Sequence, residues 1–315
     1  MLPPRVGSFL ALAFGISWAI AGVGALLGID ANSGTSYIVL AALCMFGPAI
    51  AAIVQHRYLD RAPWTGLGLD PGAIRWPYLF ASAFLGVCLV PLTFLAIHMV
   101  GDVLGVPAFG HVSITAERFN VALVELSAAM GGDGIPSQAN QWIASLPGGL
   151  ILGVLLVSGL FGAFSFNLPF MLGEELGWRG YLYQALEGWS GARRILFTGT
   201  VWGLWHAPLI IMGHNYPGHP AQGIFLMVLF CVLLAFLFDW ARTRTKSVWA
   251  PSVLHGVING TASAAVLFAW DGDVRFGSPV GAAGFIAITL LAAVLMLLDR
   301  PYRQVLFHPK GAVQP

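Results

Sequence analysis

Charge is what this chain lacks. Only 9% of its 315 residues are Asp, Glu, Lys or Arg, whereas an ordinary soluble domain carries about 25%. With 57% hydrophobic residues and a mean hydropathy of +0.79, a water-facing exterior is excluded and a lipid-embedded chain is indicated. Net charge is +1, so no broad field recruits polyanions, and no basic tract with interleaved aromatics offers a nucleic-acid groove. Cysteine is scarce as well. Cys44, Cys88 and Cys231 stand singly in apolar runs without metal-type spacing, which excludes a disulfide framework and reads as packing. Neither a soluble domain, a low-complexity segment nor an obvious repeat is present, and the HExxH pattern of soluble zinc proteases is missing.

What the chain has in quantity is long apolar runs. Crossing ~30 Å of hydrocarbon takes about 20 helical residues, and runs of that order lie near 8–28, 35–55, 77–100, 149–172, 195–213, 221–240, 249–270 and 280–298. The expectation is an all-α polytopic transmembrane helix bundle of about eight spans, forming a single membrane domain over 1–315. The first run is longer than a signal-peptide core and is expected to remain as a helix. With a cytoplasmic N-terminus, thirteen of the fifteen Lys and Arg fall on the inner side: Arg5, Arg57, Arg61, Arg75, Arg179, Arg193, Arg194, Arg242, Arg244, Lys246, Arg300, Arg303 and Lys310. Arg118 and Arg275 remain outside, so the positive-inside rule places both termini in the cytoplasm. Residues 101–148 form a long outer loop carrying Asp102, Glu117, Glu125 and Asp133, and its 112–130 part is patterned for an interfacial helix without catalytic spacing. Residues 173–190 are expected to continue or bend as helix at the inner face, with a kink near Pro169.

Against this apolar background a few side chains are out of place: Glu174, Glu175 and Arg179, then His206, then His255 and Asn259. A charged residue at membrane depth costs roughly 2.5 to 3.5 kcal/mol on insertion scales, so such groups face a protein interior or a wet cavity. Glu175 and Arg179 form an i,i+4 pair in the favourable order and are assigned to structure. Glu174 points about 100° away and is left without a local cation; a carboxylate in such a cleft suits acid and base work. Taken alone, both glutamates could simply reach the interface, and a lone imidazole in an apolar helix is more often a packed core residue than a catalyst. Company changes that weighting. Of eight histidines, only His206 and His255 lie well inside helical runs. Pro208 loosens the backbone beside His206, and Asn259 lies one turn from His255, where a carboxamide and an imidazole can donate to a developing oxyanion. His206 would lie ~16 Å into its span, so the three helices meet at one depth only if the fourth run re-enters or the fifth begins later. Each of the three segments carries two glycines four apart, at 173 and 177, 199 and 203, 256 and 260, a spacing that lets helix backbones approach in lipid.

These residues resemble the three motifs of the CAAX-processing and bacteriocin-immunity (CPBP) intramembrane proteases, written EExxxR, FxxxH and HxxxN/D. Here they read Glu174-Glu175-Leu-Gly-Trp-Arg179, Trp202-x-x-x-His206 and His255-x-x-x-Asn259, with Trp202 standing where Phe is common. The resemblance covers about 165–265, within a motif-bearing core of about 149–270. It implies an endopeptidase opening toward the inner face, of which some members trim prenylated C-termini. Glu174 and His206 would activate water, His255 and Asn259 would hold the oxyanion, and Glu175 with Arg179 would be the supporting ion pair. Glu174, His206 and His255 also permit a His2Glu zinc set with an open position, and a metal-free glutamate mechanism is equally permitted. The implied partners are a peptide or lipidated-protein substrate and the lipid bilayer. Two rivals stand: a non-catalytic immunity or scaffold protein of the same fold, and a transporter using the cluster as an ion relay, although no second half repeats the first.

Overall fold

The computed structural model describes residues 4–129 and 137–308; Asp133 of the outer loop and Lys310 of the inner set lie outside them. The order of helices is α1 (Pro4–Leu26), α2 (Thr35–Leu59), α3 (Trp76–Val103), α4 (Ala116–Ala129), α5 (Ser137–Ala144), α6 (Gly148–Ala163) and α7 (Leu168–Ala185). It continues with α8 (Gly191–Trp205), α9 (Ala207–Ile211), α10 (Pro220–Thr245), α11 (Trp249–Thr261), α12 (Ser263–Phe268), α13 (Ala282–Leu298) and α14 (Arg300–Phe307). The only sheet among the described residues is β1 (His111–Val112) paired antiparallel with β2 (Ala269–Trp270). The chain is thus the all-α bundle that its apolar runs require. Prolines open α3, α7, α9, α10 and α14, where the missing N–H would have been unpaired anyway.

All eight apolar runs fold as helix, but not all as uninterrupted crossings. Among the described residues α1, α2, α3 and α10 are long and apolar enough to cross a membrane, and two bent pairs, α6 with α7 at 61° and α13 with α14 at 106°, raise the number to six if each is one span. The two remaining runs are broken. The run at 195–213 is α8 of 15 residues followed by α9 of 5, because Pro208 cannot donate to the ladder and His206 N tightens onto Gly203 O at 3.2 Å. The run at 249–270 is α11 of 13 residues followed by α12 of 6, with the Thr261 hydroxyl bonded back to Val257 O at 2.8 Å beside the break. Both interruptions fall beside the polar residues singled out above.

Two ends of the bundle differ in character. At one end the arginine-bearing segments are knitted together: Arg75 N bonds Thr245 O at 3.3 Å, Arg242 Nη2 bonds Gly66 O at 3.3 Å, Tyr181 Oη donates to Asp60 at 2.8 Å, and Arg244 pairs with Asp299 at 3.0 Å. At the other end Ala31 N bonds Met212 O at 2.9 Å and Asp273 N bonds Ala108 O at 3.0 Å. Here α4 packs through buried Phe119 onto Phe268 of α12, ring centroids 5.8 Å apart.

The glycine pairs act as seams. A Cβ at Gly199 or Gly203 would lie 2.5 Å from the Cα of Val232 or Val228, so α8 rides directly on the backbone of α10. Gly173 and Gly177 meet Met45 and Pro48 of α2 in the same way, and Gly256 and Gly260 meet Ala163 and Gly159 of α6. Backbone contact thus fixes the three site-bearing helices relative to their neighbours.

Candidate active site

The chain turns by 61° between α6 and α7, and Glu174 of α7 lines the same cavity as His206. Immediately after Glu174 and Glu175, α7 widens into π-helical winding over Leu176–Leu182, a local departure that recurs at functional sites. Glu174, Glu175, Arg179 and His255 are 3, 0, 2 and 6% exposed, so their charges are not screened by solvent.

Trp202 is the hub. Its indole Nε1 donates to Glu174 Oε2 at 2.8 Å, and its ring centroid lies 5.8 Å from that of His206 and 5.5 Å from that of His255. His206 Nδ1 lies 2.8 Å from Trp202 O. A carbonyl can only accept, so Nδ1 carries the proton and Nε2 keeps a lone pair. His255 Nδ1 lies 3.0 Å from Glu175 Oε1, and the same reasoning protonates Nδ1 there. Two imidazoles in one tautomeric form therefore offer their second nitrogens for chemistry.

Glu175 has two duties. Arg179 Nη1 donates to both of its oxygens at 3.0 Å, the i,i+4 pair expected from spacing, and Oε1 also receives His255. The Arg179 guanidinium lies over the Trp202 and Phe238 rings, 4.3 Å from each centroid, while its Nη2 has no hydrogen-bond partner among the described residues. Asn259 is exposed and its Nδ2 lies 3.5 Å from Met171 Sδ, a weak acceptor that a better one would displace.

Glu174, His206, His255 and Asn259 all line one cavity of about 320 Å³, together with Trp202 and a mostly apolar wall. Glu175 and Arg179 stand behind it. Spacing alone did not reveal the Trp202 bond to Glu174, the Glu175 bond to His255, or the presence of His214 and Asn215 in the same cavity wall. An indole where the motif commonly carries phenylalanine was the one visible sign of the first. The residues proposed for zinc do not fit it as they stand: among the described residues no three His, Cys, Asp or Glu side chains are grouped so as to hold a metal ion, and Glu174 is already engaged by Trp202.

A carboxylate, two oriented imidazoles and a carboxamide thus share one internal cavity of a helical membrane protein. Comparison with known proteins gives the particular resemblance. Residues 148–261, which contain every one of these side chains, match the family described as type II CAAX prenyl endopeptidase Rce1-like. The chain is also 36% identical over 66 residues to CAAX prenyl protease 2 of Methanococcus maripaludis, a match covering 18% of this chain and 24% of that relative. The chain thus spans about a quarter of the curated relative it matches.

Proposed function

We propose that this protein is a membrane-embedded endopeptidase that hydrolyses peptide bonds near the C-terminus of prenylated or otherwise membrane-associated proteins. The observation that carries the reading is the single cavity faced by Glu174 and by two imidazoles whose Nδ1 protons are already committed. Water held between Glu174 and His206 Nε2 loses its proton to the carboxylate as its oxygen attacks the scissile carbonyl carbon. The resulting oxyanion accepts from Asn259 Nδ2, beside which Glu175 holds the His255 ring through Nδ1. Glu174 then returns the proton to the leaving nitrogen as the C–N bond breaks. Arg179 holds Glu175 in place through both of its oxygens, so Glu175 is a positioning residue. Both termini and the arginine-bearing end belong, on this reading, to the cytoplasm.

The test is digestion of a C-terminal prenyl-cysteine peptide library by purified wild type and Glu174→Ala, with transport assayed in parallel. Cleavage by wild type alone supports the reading, whereas equal cleavage by both removes Glu174 from it. Chelation is expected to leave the rate unchanged; a loss restored by zinc would show the three donors closing around a metal on substrate binding.

A further inference from the structure

The cavity does not stop at Glu174. It runs on to His214 and Asn215, residues beyond α9 that none of the three motifs includes. Both are polar in a wall that is otherwise apolar at that end, with Pro279, Val280 and Ile288 opposite. Among the described residues neither the His214 ring nitrogens nor the Asn215 carboxamide has a hydrogen-bond partner; the imidazole only stacks near Tyr37, centroids 5.9 Å apart. Asn215 holds its place in left-handed backbone, φ 58°, which asparagine tolerates better than most residues. Polar groups on a cavity wall without a protein partner are free to bind a ligand there.

We propose that His214 and Asn215 form the subsite that receives the free α-carboxylate of the substrate's last residue, an inference that rests on the peptidase reading. The chemistry fits. An imidazole N–H and a carboxamide NH2 together offer the donors that a carboxylate in an apolar wall requires. Glu174 is the sole carboxylate among the residues lining the cavity, so nothing at the His214 end repels an anion. Helix α9 ends at Ile211, and the chain turns through Gly213 (φ 98°) to His214, whose N bonds back to Leu209 O at 3.0 Å. A CAAX end has three residues after its lipid-bearing cysteine, and three extended residues reach about 10 Å. A scissile carbonyl at Glu174 and a terminal carboxylate at His214 then lie in the one cavity that both residues line.

Two prenyl-cysteine peptides, identical except for a free acid or an amide at the C-terminus, test this. Wild type should show a KM for the acid ~10-fold lower than for the amide, the worth of one charge-assisted hydrogen bond. His214→Ala should erase most of that ratio by raising KM for the acid, and His214→Gln, which keeps an N–H donor, should restore part of it. Equal KM values for acid and amide in wild type, or an equal fall of kcat for both peptides in His214→Ala, would overturn the proposal. Binding of the same fluorescent peptides to Glu174→Ala, with and without His214→Ala, reads the subsite without turnover. Acid preferred over amide there, and lost in the double variant, supports the subsite even if wild type cleaves neither peptide, an outcome that would sink the peptidase reading alone; no preference in Glu174→Ala sinks the subsite.

Discussion

Arg179 and Arg194 are both buried and both paired with a carboxylate, yet they are bonded in opposite styles. Arg194 forms a fork on Asp239, Nε to Oδ1 at 2.6 Å and Nη2 to Oδ2 at 2.9 Å, and Tyr302 Oη completes the carboxylate at 3.0 Å. Three hydrogen bonds fill the carboxylate, and three helices, α8, α10 and α14, are locked together. Arg179 instead spends one nitrogen on both oxygens of Glu175, leaves Nη2 unpaired, and shares the carboxylate with His255. The first arrangement maximises cohesion. The second gives up a hydrogen bond in order to aim an imidazole, which is the kind of local sacrifice expected where packing rules yield to chemistry.

That contrast can be broken from either side. The largest effect is expected next to the Arg179 cluster: Glu174→Ala should lower kcat by about 10²- to 10⁴-fold, the usual contribution of a general base, with thermal unfolding little changed in a detergent melt. Asp239→Ala should do the reverse, costing about 3–5 kcal/mol because it strands a buried guanidinium, while the fraction that remains folded keeps its turnover number. An active-site assay normalised to folded protein separates the two. Glu175→Gln lies between them. It should lower stability by about 1–3 kcal/mol and, by releasing His255, reduce kcat up to about a hundredfold; full activity with lost stability would make Glu175 as purely structural as Asp239.

Smaller effects sharpen the picture. Trp202→Phe removes the indole N–H from Glu174 and keeps the aromatic wall, so kcat should drop by roughly tenfold, the value of one hydrogen bond to a charged group, and a larger fall would show the ring itself placing both imidazoles. The smallest change belongs to the end of the bundle away from the arginines. Bonding from Arg275 holds Asp273 well below the ordinary carboxylate range, to about 2. Its contribution is therefore complete above the unfolded value near 3.8 and vanishes as pH falls through about 2. Amide exchange in 271–281 should rise over that acid window, and Asp273→Asn should remove the pH dependence.

Much of this was legible in the sequence. Apolar runs gave the helices because lipid demands internally satisfied backbone, and the Glu175–Arg179 pair followed from i,i+4 geometry. Glu174, His206, His255 and Asn259 do meet on one cavity, although their spans lay at different depths on paper. Between α6 and α7 the chain turns by 61° at 164–167, just upstream of Pro169, and α7 packs on α2 and α11. The contacts of Trp202 with Glu174, 28 residues away, and of Glu175 with His255, 80 residues away, are products of that turn and have no local signature. His214 was hidden for another reason: a loop position by hydropathy became a cavity wall because the chain turns back after α9, His214 N bonding Leu209 O at 3.0 Å.

The seam between α8 and α10 has one more consequence. Because no side chain separates the two backbones at Gly199 and Gly203, the imidazole at 206 takes its place from main-chain contact, with nothing soft in between to absorb error. A single methyl group at either glycine would act as a wedge, prying the helix outward and carrying His206 away from the cavity it shares with Glu174. Interhelical spacing and catalytic reach are, in this molecule, one mechanical variable.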